Sequence, residues 1–125
     1  MPDYIERLSR DWIDYFSISD KDEIKKNKHY NPFEIYDLIV RNDPLTGWRL
    51  IVNTINKDTQ KKSLRMLAAG PLEDFISIHG INFIELIEDE ARINSELRWI
   101  LGGVWKGSAN DEIWHRIERI RGDTW

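Results

Sequence analysis

The stretch from Ala68 to Gly80 constrains the fold more than any other part of this sequence. It reads Ala-Ala-Gly-Pro-Leu-Glu-Asp-Phe-Ile-Ser-Ile-His-Gly, with a Gly-Pro step near its start and a second glycine at its end. Glycine often follows the last residue of a helix, and proline is favoured at the first position of the next one. The pattern therefore predicts that one helix ends at Gly70 and that a short helix runs from Pro71 to Gly80.

Apolar residues recur at helical spacing along nearly the whole chain, and no segment has the pattern of a strand. The first helix is predicted over residues 3–16, and a polar loop over residues 17–31. The remaining helices are expected to begin at these start signals: Asn31-Pro32, Asp43-Pro44, Asp58-Thr59, Pro71, Asn82, Asn94-Ser95 and Asp111. We expect an all-α fold with seven to eight short helices packed as antiparallel helical hairpins.

The size and composition predict one domain over residues 1–125, with a core rich in the six tryptophans. The chain contains no cysteine, which excludes disulfides, thiolate metal sites and a cysteine nucleophile. Its N-terminus has no signal-peptide pattern, and no apolar run approaches the roughly 20 residues that span a bilayer. We therefore expect a cytoplasmic protein that does not associate with membranes.

The net charge of −4 arises entirely in the second half of the chain. Residues 63–125 contain 11 acidic and 7 basic residues, whereas residues 1–62 contain 11 of each. The carboxylates are densest over residues 73–96, where Arg92 is the only base. A negative field of this kind repels nucleic acid and favours a basic protein partner. A solvated polar face is the alternative interpretation.

Glu73, Asp74 and His79 form the one cluster that suggests a site. In a helix from Pro71 to Gly80, the two carboxylates would complement the positive end of the helix dipole and the histidine its negative end. Adjacent helical residues point about 100° apart, so Glu73 and Asp74 are poorly placed to hold one metal ion. We expect structural capping, with no metal and no cofactor, and a functional site at these three residues is the alternative.

Motifs of known enzyme chemistry do not occur in the chain, which contains no nucleophile elbow, zinc-protease motif, EF-hand loop or P-loop. The Gly-rich segment 102–107 lacks both the remaining P-loop residues and a preceding strand. We expect it to be a loop between helices, with Trp105 folded back onto the core.

The pattern AAGPLED…HG…FI..IE..A…LGGVW resembles a family of small bacterial proteins defined only as a domain of unknown function. A tryptophan-containing helix precedes this core in the family, as Trp48 does here, and the resemblance covers about residues 31–120. It implies no activity. The positions that it implies to recur in the family are Gly70, Pro71, Glu73, His79, Gly80 and Trp105.

Small, acidic, cysteine-free bacterial proteins of this kind are similar in type to the immunity proteins of toxin systems. The leading hypothesis is an inhibitor of the immunity or antitoxin type, not an enzyme, that neutralises a basic toxin such as a nuclease. The acidic helical face expected to bind the toxin consists of Glu73, Asp74, Glu85, Glu88, Asp89 and Glu90. Two alternatives stay open: a small enzyme or ligand-binding domain that uses Glu73, Asp74 and His79, and a structural helical module.

Overall fold

The computed structural model describes residues 3–17, 31–58 and 61–125, and every regular element within these ranges is helical. The predicted loop over 17–31 lies almost entirely outside the described residues. The six helices of these ranges are α1 (Asp3–Ser17), α2 (Pro32–Asn42), α3 (Pro44–Lys57), α4 (a continuous helix over residues 64–93), α5 (Ser95–Leu101) and α6 (Asp111–Ile120). The all-α prediction is confirmed, and the predicted number of seven to eight helices is wrong.

Helix α4 accounts for the difference in number, because three predicted helices are joined in it. Its parts are α-helical over Leu64–Leu67, π-helical over Ala68–Leu72 and α-helical again over Glu73–Ile93. In a regular α-helix, Pro71 would collide with the carbonyl four residues before it and lack the N–H for the helical bond. The wider π-helical turn accommodates this proline. The predicted ends at Gly70 and Gly80 and the predicted starts at Pro71 and Asn82 are therefore wrong.

Gly70 and Gly80 allow other helices to pack closely against α4. A Cβ atom on Gly70 would lie 2.7 Å from Cζ of Phe33 in α2, and one on Gly80 would lie 2.9 Å from Cγ2 of Ile113 in α6. Both glycines are buried. The two residues that look like helix stops in the sequence are contact points at which α2 and α6 approach α4.

Four of the other helix starts follow the capping pattern, whereas α4 begins at Leu64 without a side-chain cap, so the start predicted at Asp58-Thr59 is wrong. The side chains of Asn31, Asp43, Asn94 and Asn110 each accept a hydrogen bond from a backbone N–H in the first turn of the helix that follows. Prolines also occupy the first positions of α2 and α3. Because both signals depend only on neighbouring residues, these starts are correctly predicted from the sequence.

Aromatic residues join the first four helices in one core. Trp12 of α1 is fully buried, its ring lies 4.3 Å from that of Tyr36 in α2, and its Nε1 donates to the carbonyl of Ser63, 3.2 Å away. Trp48 of α3 stacks on Phe75 of α4, with the ring centroids 5.3 Å apart. The core therefore fixes the position of α4, whose opposite side is left to solvent.

We expect Gly70→Ala to lower the free energy of unfolding by about 1–2 kcal/mol. Overpacking a buried position costs about 1–3 kcal/mol, and the better helix propensity of alanine offsets up to about 1 kcal/mol of that cost. Gly122→Ala is the milder comparison, because the nearest neighbour of its Cβ would be the carbonyl oxygen of Arg98 at 3.3 Å. Urea unfolding compares the two variants, and equal stabilities would contradict the close contact with Phe33.

Candidate functional site

Glu73 is hydrogen-bonded to the loop between α5 and α6. Its Oε1 accepts a hydrogen bond from the backbone N–H of Trp105 over 3.1 Å, while the Trp105 side chain is 78% exposed. The prediction that Trp105 folds onto the core is wrong, because the backbone of this loop is anchored to α4 and its indole is not. The indole is therefore presented to solvent on a loop whose position is fixed.

His79 and Asp74 both contact the C-terminal half of α2. Nε2 of His79 lies 2.7 Å from the carbonyl oxygen of Val40 and donates to it, because a carbonyl only accepts. Oδ2 of Asp74 lies 3.8 Å from Nη2 of Arg41. His79 thus meets a carbonyl near a helix end, as expected, but the helix is α2 because α4 continues past Gly80. Glu73 faces a different element, so the three predicted residues are divided between two contacts.

Asp74 lies in an electrostatically unfavourable position. Burial raises the pKa of its carboxyl above the ordinary value, Arg41 opposes that shift, and the carboxylate of Asp37 adds to it. Arg41 is also the closer partner of Asp37, with 2.9 Å between Nε and Oδ1. Two carboxylates therefore share one guanidinium, and a second cation at this point would stabilise the ionised form of Asp74.

Only part of the predicted acidic face points to solvent. At about 100° per residue, three of its six carboxylates lie within about 60° of one another on the side of α4 that faces away from the core. These three, Asp74, Glu85 and Asp89, share that side with Ile78 and Ile81, which are 45% and 68% exposed. We refer to these five residues as the outward face of α4.

Glu88 lies at the edge of the outward face, about 20° around the helix from Ile81, and its carboxylate ties α4 to α6. Its Oε2 accepts from Nε of Arg116 over 3.0 Å, and its Oε1 accepts from Nη2 of the same guanidinium. These hydrogen bonds lower the pKa of Glu88. On the outward face itself, Asp89 pairs with Arg92, and both side chains are about two-thirds exposed. The acidic region is thus neutralised at Glu88 and in part at Asp89.

We expect the Glu88–Arg116 pair to make the stability of the fold depend on pH. A carboxyl whose pKa is lowered on folding stabilises the protein above its unfolded pKa of 4.5, and this stabilisation is lost as the pH falls through the folded pKa. Urea unfolding between about pH 6 and pH 3 should therefore show a smaller loss for Glu88→Gln than for the wild type. Glu85→Gln, which removes an exposed carboxylate on the same helix, should keep the wild-type slope. A flattened slope in both variants would contradict the assignment.

The structure also contains a cleft between α1, α3 and α4 that the sequence analysis did not identify. Its volume is about 350 Å³. The residues that line it are Ile5, Glu6, Trp48, Arg49, Val52, Asn53, Asn56 and Glu90. One sequence signal could have indicated the cleft. Beside its apolar stripe, α3 has a polar stripe at helical spacing, formed by Arg49, Asn53 and Asn56.

Two further observations concern the parts of the chain that the structure describes. In residues 3–17, 31–58 and 61–125, no three His, Asp or Glu side chains are grouped closely enough to hold a metal ion. No helix in the same three ranges has the length and apolar character needed to cross a bilayer.

The fold and these surfaces define an all-α protein with an exposed apolar and acidic face on its longest described helix. The chain belongs to a family of unknown function, DUF6869, whose model matches residues 19–124. The expected membership of a family of unknown function is therefore confirmed. No curated protein and no solved structure matches the chain.

Proposed function

We propose that this protein binds a basic protein partner through the outward face of α4 and Trp105, and that it is an immunity-type inhibitor of a bacterial toxin. The observation that carries the proposal is the exposure of Ile78 and Ile81 between the carboxylates of Asp74 and Glu85. Two isoleucines in solvent on consecutive turns lower the solubility of a monomer, and such a patch is typical of a surface that a partner covers.

The Trp105 loop runs beside this face and supports the same interpretation. Its backbone is bonded to Glu73, and a Cβ atom on Gly107 of the loop would lie 3.4 Å from Oγ of Ser77. Ser77 directly precedes Ile78 and lies one turn before Ile81. Tryptophan is the residue type most enriched among those that dominate binding energies. An exposed indole on a backbone that Glu73 holds in place, next to an exposed apolar face, provides a binding anchor whose backbone loses little entropy on binding.

The charge of the face determines which partner it fits. Residues 73–91 contain six carboxylates and no Lys or Arg. Glu85 forms no ion pair with any described residue, and Asp74 shares Arg41 with Asp37. A lysine or arginine from a partner would pair with Glu85 and relieve the crowded carboxylates at Asp74. Complementarity of this kind accelerates association and selects the partner.

The alternative enzyme has less support, since it requires Glu73, Asp74 and His79 to converge in one cleft. Asp74 and His79 are both engaged with α2, and Glu73 is bonded to the α5–α6 loop. An arrangement of this kind favours structural positions for all three residues.

Genomic neighbours provide the test. Each adjacent gene that encodes a basic domain is expressed alone and together with this protein. We expect one product to arrest growth, this protein to restore growth, and the two chains to purify as a stoichiometric complex. The proposal is wrong if none of the toxic neighbours binds the purified protein, or if growth is restored without a complex.

A further inference from the structure

We propose that the cleft between α1, α3 and α4 binds a small zwitterion of the α-amino-acid type. The cleft is separate from the outward face of α4, because the residue that α4 contributes to it, Glu90, points at least about 100° away from the residues of that face. Its volume of about 350 Å³ lies within the range of small-ligand sites, which begins near 300 Å³.

The apolar part of the cleft can take a small aliphatic group. Ile5 of α1 and Val52 of α3 line it together with Trp48. Trp48 is 5% exposed and is held by stacking on Phe75, so this wall is rigid. A rigid wall of aliphatic and indole carbon favours a ligand that carries an apolar side chain.

The polar part of the cleft is a stripe on α3. Arg49, Asn53 and Asn56 are spaced by four and three residues, which places them on one side of the helix. Arg49 is exposed and makes no ion pair with the described residues of the chain. Its guanidinium is therefore available for the carboxylate of a ligand, which it can bind with two parallel hydrogen bonds.

Asn53 provides the complementary acceptor. Its Oδ1 is buried and has no hydrogen-bond partner among the described residues, whereas its Nδ2 donates to Oε1 of Glu6 over 3.3 Å. A buried acceptor without a donor is costly, so a ligand donor in the cleft favours a rotation of the Asn53 amide that brings Oδ1 to it. An ammonium group is such a donor, and the carboxylate of Glu90 lines the same cleft.

The charges of the cleft select a ligand that carries both signs. Glu6 is paired with Lys57 at 2.5 Å, which leaves Glu90 as the carboxylate that would attract a ligand cation. An anion without an ammonium group would meet the field of Glu90, and a cation without a carboxylate would meet Arg49. A zwitterion places one charge opposite each of them.

The experiment records ¹⁵N–¹H spectra of the full chain during titration with the common L-α-amino acids. Two analogues of the tightest-binding amino acid are then added separately: the acid that lacks the ammonium group (4-methylpentanoate for L-leucine) and the amide that lacks the carboxylate (leucinamide for L-leucine). We expect at least one amino acid to shift the amide signals of Arg49, Asn53 and Asn56 with a Kd of about 1 mM or lower. The analogues of a binding amino acid that lack either charge should bind at least about tenfold more weakly.

A matched pair of variants separates this site from unspecific binding. Arg49→Ala should weaken binding at least about tenfold, whereas Arg65→Ala, which removes an exposed arginine outside the cleft, should leave it unchanged. The proposal is overturned if no α-amino acid shifts these signals at about 10 mM. It is also overturned if the singly charged analogues bind as well as the zwitterion, or if both variants bind alike.

Discussion

Trp12→Ala should lower the free energy of unfolding by about 3–5 kcal/mol, the usual cost of truncating a buried tryptophan. Trp12 is fully buried, its ring contacts the rings of Phe16 and Tyr36, and its Nε1 donates to the carbonyl of Ser63. The substitution therefore leaves a cavity between α1 and α2 and also removes a donor from a buried carbonyl. Because domains of this size have only about 5–15 kcal/mol of stability, we expect the urea midpoint to fall sharply.

Trp105→Ala is the matched control, since it removes the same side chain from a position that is 78% exposed. The free energy of unfolding should change by less than about 0.5 kcal/mol. Partner binding should weaken by about 2–4 kcal/mol, as for other tryptophan anchors. If Trp105→Ala destabilises the protein as much as Trp12→Ala does, the indole is a structural element and the proposed binding surface loses its anchor.

Glu85→Lys should weaken the complex with the basic partner at least about tenfold, mainly by slowing association. The substitution reverses one charge on the outward face, so an attraction becomes a repulsion. Stability should change little, because Glu85 is exposed and forms no ion pair with the described residues. Surface plasmon resonance or stopped-flow fluorescence measures the association rate, which should also lose part of its salt dependence.

Glu118→Lys is the control for this charge reversal, since it changes the net charge of the protein by the same amount. Glu118 lies two residues after Arg116 on α6, about 200° around the helix from the side that meets Glu88. The charge at Glu118 is therefore screened from a partner on the outward face, because the Debye length is about 8 Å at physiological salt. An equal loss of affinity in both variants would mean that net charge, and not the outward face, attracts the partner.

The starts of α2, α3, α5 and α6 were predictable because their causes are local. A capping side chain followed by proline, as at Asn31 and Asp43, determines the first turn without help from the rest of the chain. The single helix α4 was not predictable in the same way. Gly70 and Gly80 look like stops in sequence, but the side chains that explain them, Phe33 and Ile113, lie far away in the chain.

In the candidate site, too, the features with local causes were predictable and those that depend on distant parts of the chain were not. The concentration of carboxylates after residue 73 is visible in sequence, and the exposed part of it at Glu85 follows from helical periodicity. The pairing of Glu88 with Arg116 and the hydrogen bond from the Trp105 backbone to Glu73 depend on how α6 and the loop before it pack against α4. The cleft between α1, α3 and α4 likewise exists only once three separate helices meet.

The most direct test of the central claim is a methyl cross-saturation measurement on the complex with the basic partner. With isoleucine methyl groups labelled in this protein and the partner irradiated, the signals of Ile78 and Ile81 should lose intensity. Ile93, at the C-terminal end of α4 and 82% exposed, should lose less intensity because it lies about 18 Å along the helix from Ile81. Saturation of Ile93 with Ile78 and Ile81 unaffected would contradict the proposed binding surface.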